Sequence, residues 1–248
     1  MFRLACFALL STLVSPLRAQ AVRLPSRQSL FVLQGGDTPN VNHHMTVAAQ
    51  AFGVDFAVVG GTSGRELAPS GVRRIEEFYC WDTPVISPVS GQVVQVVDSL
   101  PDNPLGTHDT VNLLGNHVVI RSAERFFYLG HFRRGSIVVR TGNSVEAGGI
   151  VGRCGNSGNS DFPHIHLHAT ASARFGEGVG INLLFGPIRA ELSGTVFEQV
   201  ECPMLAGLWV RSPGGLTCVA ADGRSVEARC ARIQFNSPAA ERWAFVRP

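Results

Sequence analysis

The sequence predicts an all-β protein, a two-layer antiparallel β-sandwich with a small cysteine-containing C-terminal extension. Short segments rich in valine, isoleucine and phenylalanine recur along the chain, and turn residues separate them at close intervals. Only residues 45–52 show some helical periodicity. The chain has 248 residues, 45% of them hydrophobic, which is enough for one sizeable core and a small appendage.

The first 21 residues have the features of a signal peptide. Arg3 gives a short positive start, residues 4–14 are apolar, and Ala19-Gln20-Ala21 is a small-x-small cleavage site. The apolar run is too short to span a bilayer, and no later stretch is long enough. The sequence therefore predicts an exported protein, periplasmic or secreted, without a transmembrane segment.

The charge balance excludes one class of partner. Every basic residue is arginine, and loss of Arg3 and Arg18 with the signal peptide leaves 19 arginines against 19 acidic residues. A neutral mature chain has no long-range attraction for phosphates, so we expect no binding to nucleic acid. The oligomeric state is left open.

Turn and loop residues separate the expected strands. Glycine pairs stop the first two strands, a Pro/Gly/Asp loop over residues 98–115 divides the series, and turns at 142–143 and 148–149 precede its last member. The expected strands cover residues 30–33, 53–59, 92–97, 117–121, 125–132, 136–140 and 150–152. We expect three parts of the chain: a signal peptide over residues 1–21, a main domain over 22–200 and a β extension over 201–248.

Five cysteines remain after signal cleavage, and an exported protein can join them in disulfides. Three of them crowd into the last 47 residues, where a small segment would need cross-links. Their odd number leaves at least one thiol unpaired within the chain, and the connectivity stays open. They are Cys80, Cys154, Cys202, Cys218 and Cys230.

Residues 155–168 read G-N-S-G-N-S-D-F-P-H-I-H-L-H. On a β-strand alternate side chains share a face, so His164, His166 and His168 point the same way. Neighbouring imidazoles are then roughly 6.6 Å apart at the backbone, close enough for two to approach one metal ion. Alone, this pattern more often marks a histidine-rich surface strand than a metal site, although imidazole is a common metal ligand.

Two further residues complete a candidate ligand set. Asp55 lies between apolar neighbours in an expected strand, and a buried carboxylate needs a partner. His44 precedes this strand. Two imidazoles and one carboxylate, from His44, Asp55 and His166, suit a zinc site with one open coordination position, as found in hydrolases.

Several motifs in this order resemble the lysostaphin-like (LytM-type) zinc metallopeptidases, which cut peptide bonds in bacterial cell-wall peptidoglycan. Y-L-G-H-F at residues 128–132 and G-x-x-G-N-S-G-N-S-x-x-P-H-I-H at 152–166 carry the resemblance, together with His44 and Asp55. T-P-V-I-S-P-V-S-G-Q-V-V and G-N-H-V-V-I look like the family's hairpin and the strand before its catalytic histidine. The similarity covers roughly residues 30–170, and the family has a two-sheet β fold with a groove across the zinc.

The resemblance implies a role for five residues. His44, Asp55 and His166 would bind one Zn²⁺ ion, and His131 and His164 would be the catalytic pair that assists a zinc-activated water. The substrates implied are peptidoglycan stem peptides or cross-bridges. Which cross-link is cut, and which of the two histidines is the base, stay open.

The first ligand has an alternative. His44 and Asp55 are eleven residues apart, a longer spacing than in many members of the family, and His43 is the fallback. Adjacent strand residues point in opposite directions, so only one of the two histidines would face the metal. His168 occupies a position where the family more often has a carboxylate or amide, and either a role beside the site or surface exposure is compatible with the sequence.

Two other functions remain as alternatives. A non-catalytic relative that binds and activates a cell-wall amidase would be expected to lack metal ligands, whereas here every position is filled. An intracellular phosphohistidine carrier of related architecture does not fit the export signal. The segment from residue 201 onward contains the turn signal Asp222-Gly223 but indicates no function.

Overall fold

A computed structural model describes residues 22–192, 194–202, 204 and 206–211. These residues form twelve β-strands and three short 3₁₀ helices. The helices are His43–Thr46, Ala48–Gln50 and Ile75–Glu77. The strands are β1 (Leu30–Gln34), β2 (Val54–Val58), β3 (Pro84–Ile86), β4 (Gly91–Val97), β5 (Asn116–Ser122), β6 (Arg125–Phe132), β7 (Ser144–Val145), β8 (Ile150–Arg153), β9 (Ile165–Thr170), β10 (Phe185–Leu192), β11 (Thr195–Cys202) and β12 (Trp209–Arg211).

The strands form one large sheet and one small sheet. The large sheet has the order β11-β10-β12-β1-β2-β9-β6-β5-β4-β7, and β3 pairs with β8 in the second. Neighbouring strands in both sheets are antiparallel. One hydrophobic cluster contains Val85 and Val151 of the small sheet together with residues of the large one. The predicted all-β, antiparallel fold class is confirmed.

The centre of the large sheet separates apolar and polar faces. Val54, Phe56 and Val58 of β2 and Ile165 and Leu167 of β9 belong to the hydrophobic core. Because side chains alternate along a strand, the residues between them point to the opposite face. On β2 and β9 these intervening residues include an aspartate and two histidines, all of them buried.

One expected strand does not form, and the helical periodicity of residues 45–52 produces no α-helix. Residues 136–140 form no strand, because the backbone N–H groups of Ser136 and Ile137 donate to the carboxylate of Asp98 instead of to a neighbouring strand. Residues 45–52 form no regular α-helix and contain parts of two 3₁₀ helices. In both segments side-chain and turn hydrogen bonds replace the regular pattern.

The described part of the C-terminal region continues the large sheet. The boundary expected after residue 200 falls inside β11, and β12 lies between β10 and β1. The division into a main domain and an extension stays a prediction, and residues 212–248, with Cys218, Cys230 and the Asp222-Gly223 turn, lie outside the described residues, as does the expected signal peptide. Across the described residues, none of the helices has the length and apolar character needed to cross a bilayer.

One disulfide joins Cys80 and Cys154. It assigns one of the cysteine pairs that the sequence left open. Both residues are buried, and 74 positions separate them in the sequence. A cross-link that closes a loop of this length stabilises a protein by about 4 kcal/mol in the chain-entropy description. Cys154 directly precedes the loop that leads to the histidine-rich strand, so the cross-link anchors the start of that loop.

Candidate metal and catalytic site

Strand register brings the candidate residues together. In the pairing of β2 with β9, Asp55 lies directly opposite His166. In the pairing of β6 with β9, Gly130 lies opposite His166, which places His131 beside it at the end of β6. The 3₁₀ helix His43–Thr46 supplies His44. We call His44, Asp55, His131, His164 and His166 the histidine site.

The carboxylate of Asp55 is the centre of the histidine site. Its Oδ1 atom lies 2.9 Å from His166 Nδ1, 3.5 Å from His44 Nε2 and 3.6 Å from His164 Nε2. Burial raises the pKa of this carboxyl, but the charges of His44 and His164 and hydrogen bonds from His164 and His166 outweigh burial and hold the pKa well below its ordinary value. The site therefore contains a buried, ionised carboxylate surrounded by imidazoles.

Asn42 orients His44. The Asn42 side-chain oxygen caps the 3₁₀ helix by accepting from the backbone N–H of His44 at 3.2 Å, and it also lies 2.8 Å from His44 Nδ1. An Nδ1–H that donates to this oxygen leaves the Nε2 lone pair facing Asp55. Burial lowers the pKa of His44 to about 3, so this imidazole is neutral and available as a ligand.

Gly53 lets the two imidazoles approach each other. A Cβ atom at this position would lie 3.0 Å from His44 Cγ and 3.3 Å from His166 Cε1. The centroids of the two imidazole rings are 4.7 Å apart. A side chain at residue 53 would therefore displace one of the two histidines or the backbone between them.

His131 and His164 face each other across the site, with ring centroids 4.7 Å apart. His131 Nδ1 lies 2.8 Å from the carbonyl oxygen of Ser157, and donation to it leaves Nε2 as an acceptor. His164 Nδ1 lies 2.9 Å from the carbonyl of Phe162 and 3.1 Å from Ser160 Oγ. Each imidazole is thus held through Nδ1. The Nε2 atom of His131 faces the site, and that of His164 lies 3.6 Å from Asp55 Oδ1.

The two histidines differ in proton affinity. Burial, reinforced by the charges of His164 and His166, holds the pKa of His131 well below its ordinary value. Burial also acts to lower the pKa of His164, but the charge of Asp55 and a hydrogen bond to it outweigh burial and raise that pKa. A neutral His131 can accept a proton and a protonated His164 can donate one, which is the pairing that acid–base catalysis needs.

The backbone of His131 lies in the left-handed region, with φ of 64°. A non-glycine residue in a sparsely populated conformation costs of order 1–3 kcal/mol and persists only where its surroundings enforce it. Here the backbone N–H donates to the carbonyl of Leu114 at 3.1 Å, and the carbonyl accepts from Gly155 N at 3.0 Å. The conformation directs the His131 ring toward His164 and His166.

Both histidines considered for the first ligand are near the carboxylate. His43, His44 and Asp55 each offer an atom, and these atoms lie within 4.8 Å of one another. His43 is exposed and its ring lies 4.0 Å from that of His44, which is buried. The choice of His44 over His43, and the whole assignment of ligands and catalytic residues, stays a prediction.

The remaining histidines have different surroundings. His108 is half exposed and lies 2.8 Å from a carboxylate oxygen of Asp161. His117 is buried, and its Nδ1 lies 2.7 Å from the carbonyl of Gly115. His168 is only 1% exposed, so the surface interpretation of this residue is wrong; its Nδ1 lies 2.8 Å from His166 Nε2.

Two of the groups that hold the site, the Asn42 side chain and the Ser157 carbonyl, were not predicted from the sequence. Asn42 could have been found, because asparagine before a short helix is a frequent N-cap. The carbonyl of Ser157 carried no signal, since any residue type offers the same backbone oxygen. It reaches His131 because Gly115, at φ of 61°, packs so closely that a Cβ there would lie 2.4 Å from this oxygen.

The sequence profile of peptidase family M23 matches residues 77–182, less than half of the chain. The matched segment includes His131, His164 and His166, whereas His44 and Asp55 precede it. The resemblance to the lysostaphin-like, LytM-type peptidases is confirmed by this match, which supports a peptidase. No curated protein matches the sequence.

Solved structures of such peptidases are similar to the chain at low identity. The catalytic domain of the antimicrobial peptidase lysostaphin from Staphylococcus simulans is 22% identical; the match covers 51% of this chain and 71% of that one, with a TM-score of 0.34. A mutant catalytic domain of the prophage-encoded M23 protein EnpA from Enterococcus faecalis is 22% identical, with 62% and 88% covered and a TM-score of 0.39. A zinc-containing peptidase from Vibrio cholerae is 18% identical, with 66% and 41% covered and a TM-score of 0.38.

Proposed function

We propose that the protein is an exported zinc metalloendopeptidase that hydrolyses peptide bonds in bacterial peptidoglycan. The observation that carries the proposal is the convergence of three imidazoles, from His44, His164 and His166, on the single carboxylate of Asp55. The match of residues 77–182 to peptidase family M23 supports the reaction class. Export rests on the composition of residues 1–21.

The donor set fits one zinc ion. His44 Nε2, Asp55 Oδ1 and His166 Nδ1 would hold it, since imidazole nitrogens and a carboxylate are ligands that zinc prefers. Tetrahedral ligands at about 2.1 Å from an ion lie about 3.4 Å from one another, and His44 Nε2 lies 3.5 Å from Asp55 Oδ1. Three protein ligands leave a coordination position open, as in catalytic rather than structural sites. When bound, zinc supplies Lewis acidity toward the scissile carbonyl and lowers the pKa of water.

His131 and His164 would move the protons. His131, neutral and held through Nδ1 by the Ser157 carbonyl, offers Nε2 to take a proton from the attacking water. His164, held through Nδ1 by the Phe162 carbonyl, offers its Nε2 to hydrogen-bond the developing oxyanion or to give a proton to the departing amine. Their separation, 4.7 Å between ring centroids, lets both reach one scissile peptide bond.

The substrate would be a peptide of the cell wall, either a stem peptide or a cross-bridge. The decisive experiment uses the purified chain without its signal peptide. Zinc content is measured by mass spectrometry of the metal, and soluble fragments released from purified sacculi are sequenced by mass spectrometry. We expect one zinc per chain and a new amino terminus at a cross-link.

Matched variants make the experiment specific. Asp55→Asn removes the negative charge at the centre of the site and is expected to lose both zinc and fragment release. His117→Asn changes a buried histidine outside the site and is expected to retain both. A folded parent protein that holds no zinc and releases nothing would contradict the proposal and favour the amidase-activator alternative, which addition of a cell-wall amidase would then test directly.

A further inference from the structure

His166 is held through both ring nitrogens. Its Nδ1 lies 2.9 Å from Asp55 Oδ1, and its Nε2 lies 2.8 Å from His168 Nδ1. The two histidines are alternate residues of β9, so they share one face of the strand, and their ring centroids are 5.0 Å apart. Because both ring nitrogens are restrained, the imidazole is held in one orientation about χ2 and cannot flip to the other.

The ring of His168 is itself fixed by its neighbours. It stacks on Tyr128 with centroids 4.6 Å apart and an interplanar angle of 4°, and Phe175 approaches its edge at 6.2 Å. Tyr128 lies opposite His168 in the pairing of β6 with β9, and its hydroxyl donates to the carbonyl of Ser172 at 2.8 Å. This packing prevents His168 from rotating away from His166.

Burial of His168 in this position has a free-energy cost. Its Nε2 atom is buried and has no hydrogen-bond partner within the described ranges. A buried polar group without a partner costs about 1–3 kcal/mol, and such a group in a native structure calls for an explanation. An aromatic hydrocarbon ring would make the same stack on Tyr128 without that cost, so packing does not explain a histidine here.

A role beside a metal-binding imidazole explains why residue 168 is a histidine. A neutral imidazole that presents the Nδ1 lone pair to a cation carries its proton on Nε2, and this N–H needs an acceptor. At His166 the acceptor within reach is His168 Nδ1. Ring nitrogens that bind metals are commonly fixed by a partner on the other nitrogen, and loss of that partner typically costs 10–100-fold in metal affinity.

We propose that His168 is a positioning residue, whose Nδ1 accepts a hydrogen bond from His166 Nε2 and so directs His166 Nδ1 toward the cation beside Asp55. The identity of that cation as zinc rests on the proposed function; the hydrogen bond between the two histidines does not. His168 touches neither substrate nor the reacting atoms and acts through His166.

Two substitutions separate the acceptor from the ring. His168→Phe keeps a ring on Tyr128 and removes the acceptor. His168→Asn loses the stack but places a side-chain oxygen where Nδ1 stood, so it restores an acceptor. His117→Phe is the matched control, because His117 is likewise buried with an Nε2 atom lacking a partner among the described residues.

Zinc affinity is measured by competition with a chromophoric chelator, and stability by thermal melting of the zinc-free proteins. We expect His168→Phe to weaken zinc binding 10–100-fold while melting close to the parent, since the unpartnered Nε2 of His168 is removed as His166 Nε2 loses its partner. His168→Asn should recover most of the lost affinity, and His117→Phe should bind zinc as the parent does. Unchanged affinity in His168→Phe would overturn the proposal.

A second measurement is independent of zinc and of every variant's folding. In the ¹⁵N-labelled parent, an N–H···N bond transmits a scalar coupling between His166 Nε2 and His168 Nδ1, which long-range proton–nitrogen spectra detect. We expect this coupling in the zinc-free protein, where either nitrogen can carry the shared proton because His166 Nδ1 also faces Asp55, and in the zinc-loaded protein, where the proton lies on His166 Nε2. Absence of the coupling, or a proton bonded to His168 Nδ1 in the zinc-loaded protein, would overturn the proposal. A parent that shows the coupling but binds no zinc would contradict the proposed function and leave the role of His168 toward His166 standing.

Discussion

His131 and His117 are two buried histidines on paired strands, β6 and β5, at the end where the register of that pair shifts. Each places Nδ1 within hydrogen-bonding distance of a backbone carbonyl, of Ser157 at 2.8 Å and of Gly115 at 2.7 Å. Burial is the largest cause of a lowered pKa in both. By these local measures the two residues are nearly equivalent.

His131 and His117 differ in the surroundings of their second ring nitrogen, Nε2. The ring of His131 lies 4.7 Å from that of His164 and 5.8 Å from that of His166, the two histidines whose nitrogens lie near the carboxylate of Asp55. The Nε2 atom of His117 has no hydrogen-bond partner in the described part of the chain. Burial and a shifted pKa are therefore insufficient evidence for a functional histidine, because structural burial produces them too. Convergence with other donors is the distinguishing feature.

Of the substitutions that test this comparison, removal of the Asp55 carboxylate should reduce zinc binding and activity most. This carboxylate is the group that distinguishes the surroundings of His131 from those of His117. Asp55→Asn leaves an amide of the same size that binds cations poorly, and we expect zinc binding and release of fragments from sacculi to fall below detection. Chelator competition and mass spectrometry of the digest measure both. Zinc retained at the parent's affinity would show that the imidazoles alone form the site.

Paired substitution at His131 and His117 tests the comparison directly. His131→Asn removes a proton acceptor, and asparagine tolerates the left-handed backbone better than alanine does. We expect its rate of peptide hydrolysis to fall by about 10²–10⁴-fold, the usual contribution of general acid–base catalysis. His117→Asn should stay within about threefold of the parent at matched zinc content. Equal losses in the two variants would remove the distinction drawn between them.

A third pair defines which imidazoles belong to the site. His44 is buried, with Nε2 3.5 Å from Asp55, whereas its neighbour His43 is exposed. We expect His44→Ala to weaken zinc binding more than about 100-fold, beyond the usual effect of losing a partner of a ligand, and His43→Ala to change it little. Titration with a competing chelator decides the order, and the reverse order would make His43 the ligand.

The smallest effect is on stability against pH. Burial puts the folded-state pKa of His117 below its ordinary value of 6.5. As the pH falls below 6.5 the unfolded chain gains a proton that the folded chain does not, so acidification lowers the free energy of unfolding. The contribution is at most about 1.4 kcal/mol per pH unit.

Denaturant titrations of the zinc-free protein between about pH 5 and pH 7 measure this dependence. His117→Gln should lose stability less steeply than the parent as the pH falls. A parallel decline in His117→Gln would mean that this histidine titrates alike in the folded and unfolded chains.

Local patterns in the sequence determined much of the fold. The alternation of histidine with aliphatic residues at 164–168 predicted a strand with one polar face, because the side-chain period of a strand is set by its backbone. The flanking of Asp55 by apolar residues predicted a buried carboxylate with a partner for the same reason. Residues 125–132 form a strand with the bounds expected from the sequence.

Local patterns gave wrong or incomplete predictions where groups distant in the sequence form the deciding contacts. Residues 136–140 are rich in β-branched residues as strands are, but the Asp98 carboxylate accepts from the backbone N–H groups of Ser136 and Ile137, and the Asn143 side chain accepts from that of Arg140. The pairing of Cys80 with Cys154, across 74 residues, was equally invisible, since composition and spacing do not encode which cysteines meet.

The sequence by itself determined which residue types are present that can bind a metal or transfer protons. Through the family resemblance it also predicted the set His44, Asp55, His131, His164 and His166. Only the tertiary structure decided that Asp55 lies opposite His166, that the backbone of His131 adopts φ of 64°, and that His168 is buried against Tyr128. Strand register and the close packing of loops are properties of the whole sheet, in which each contact joins residues remote in the chain. Local preference cannot specify them.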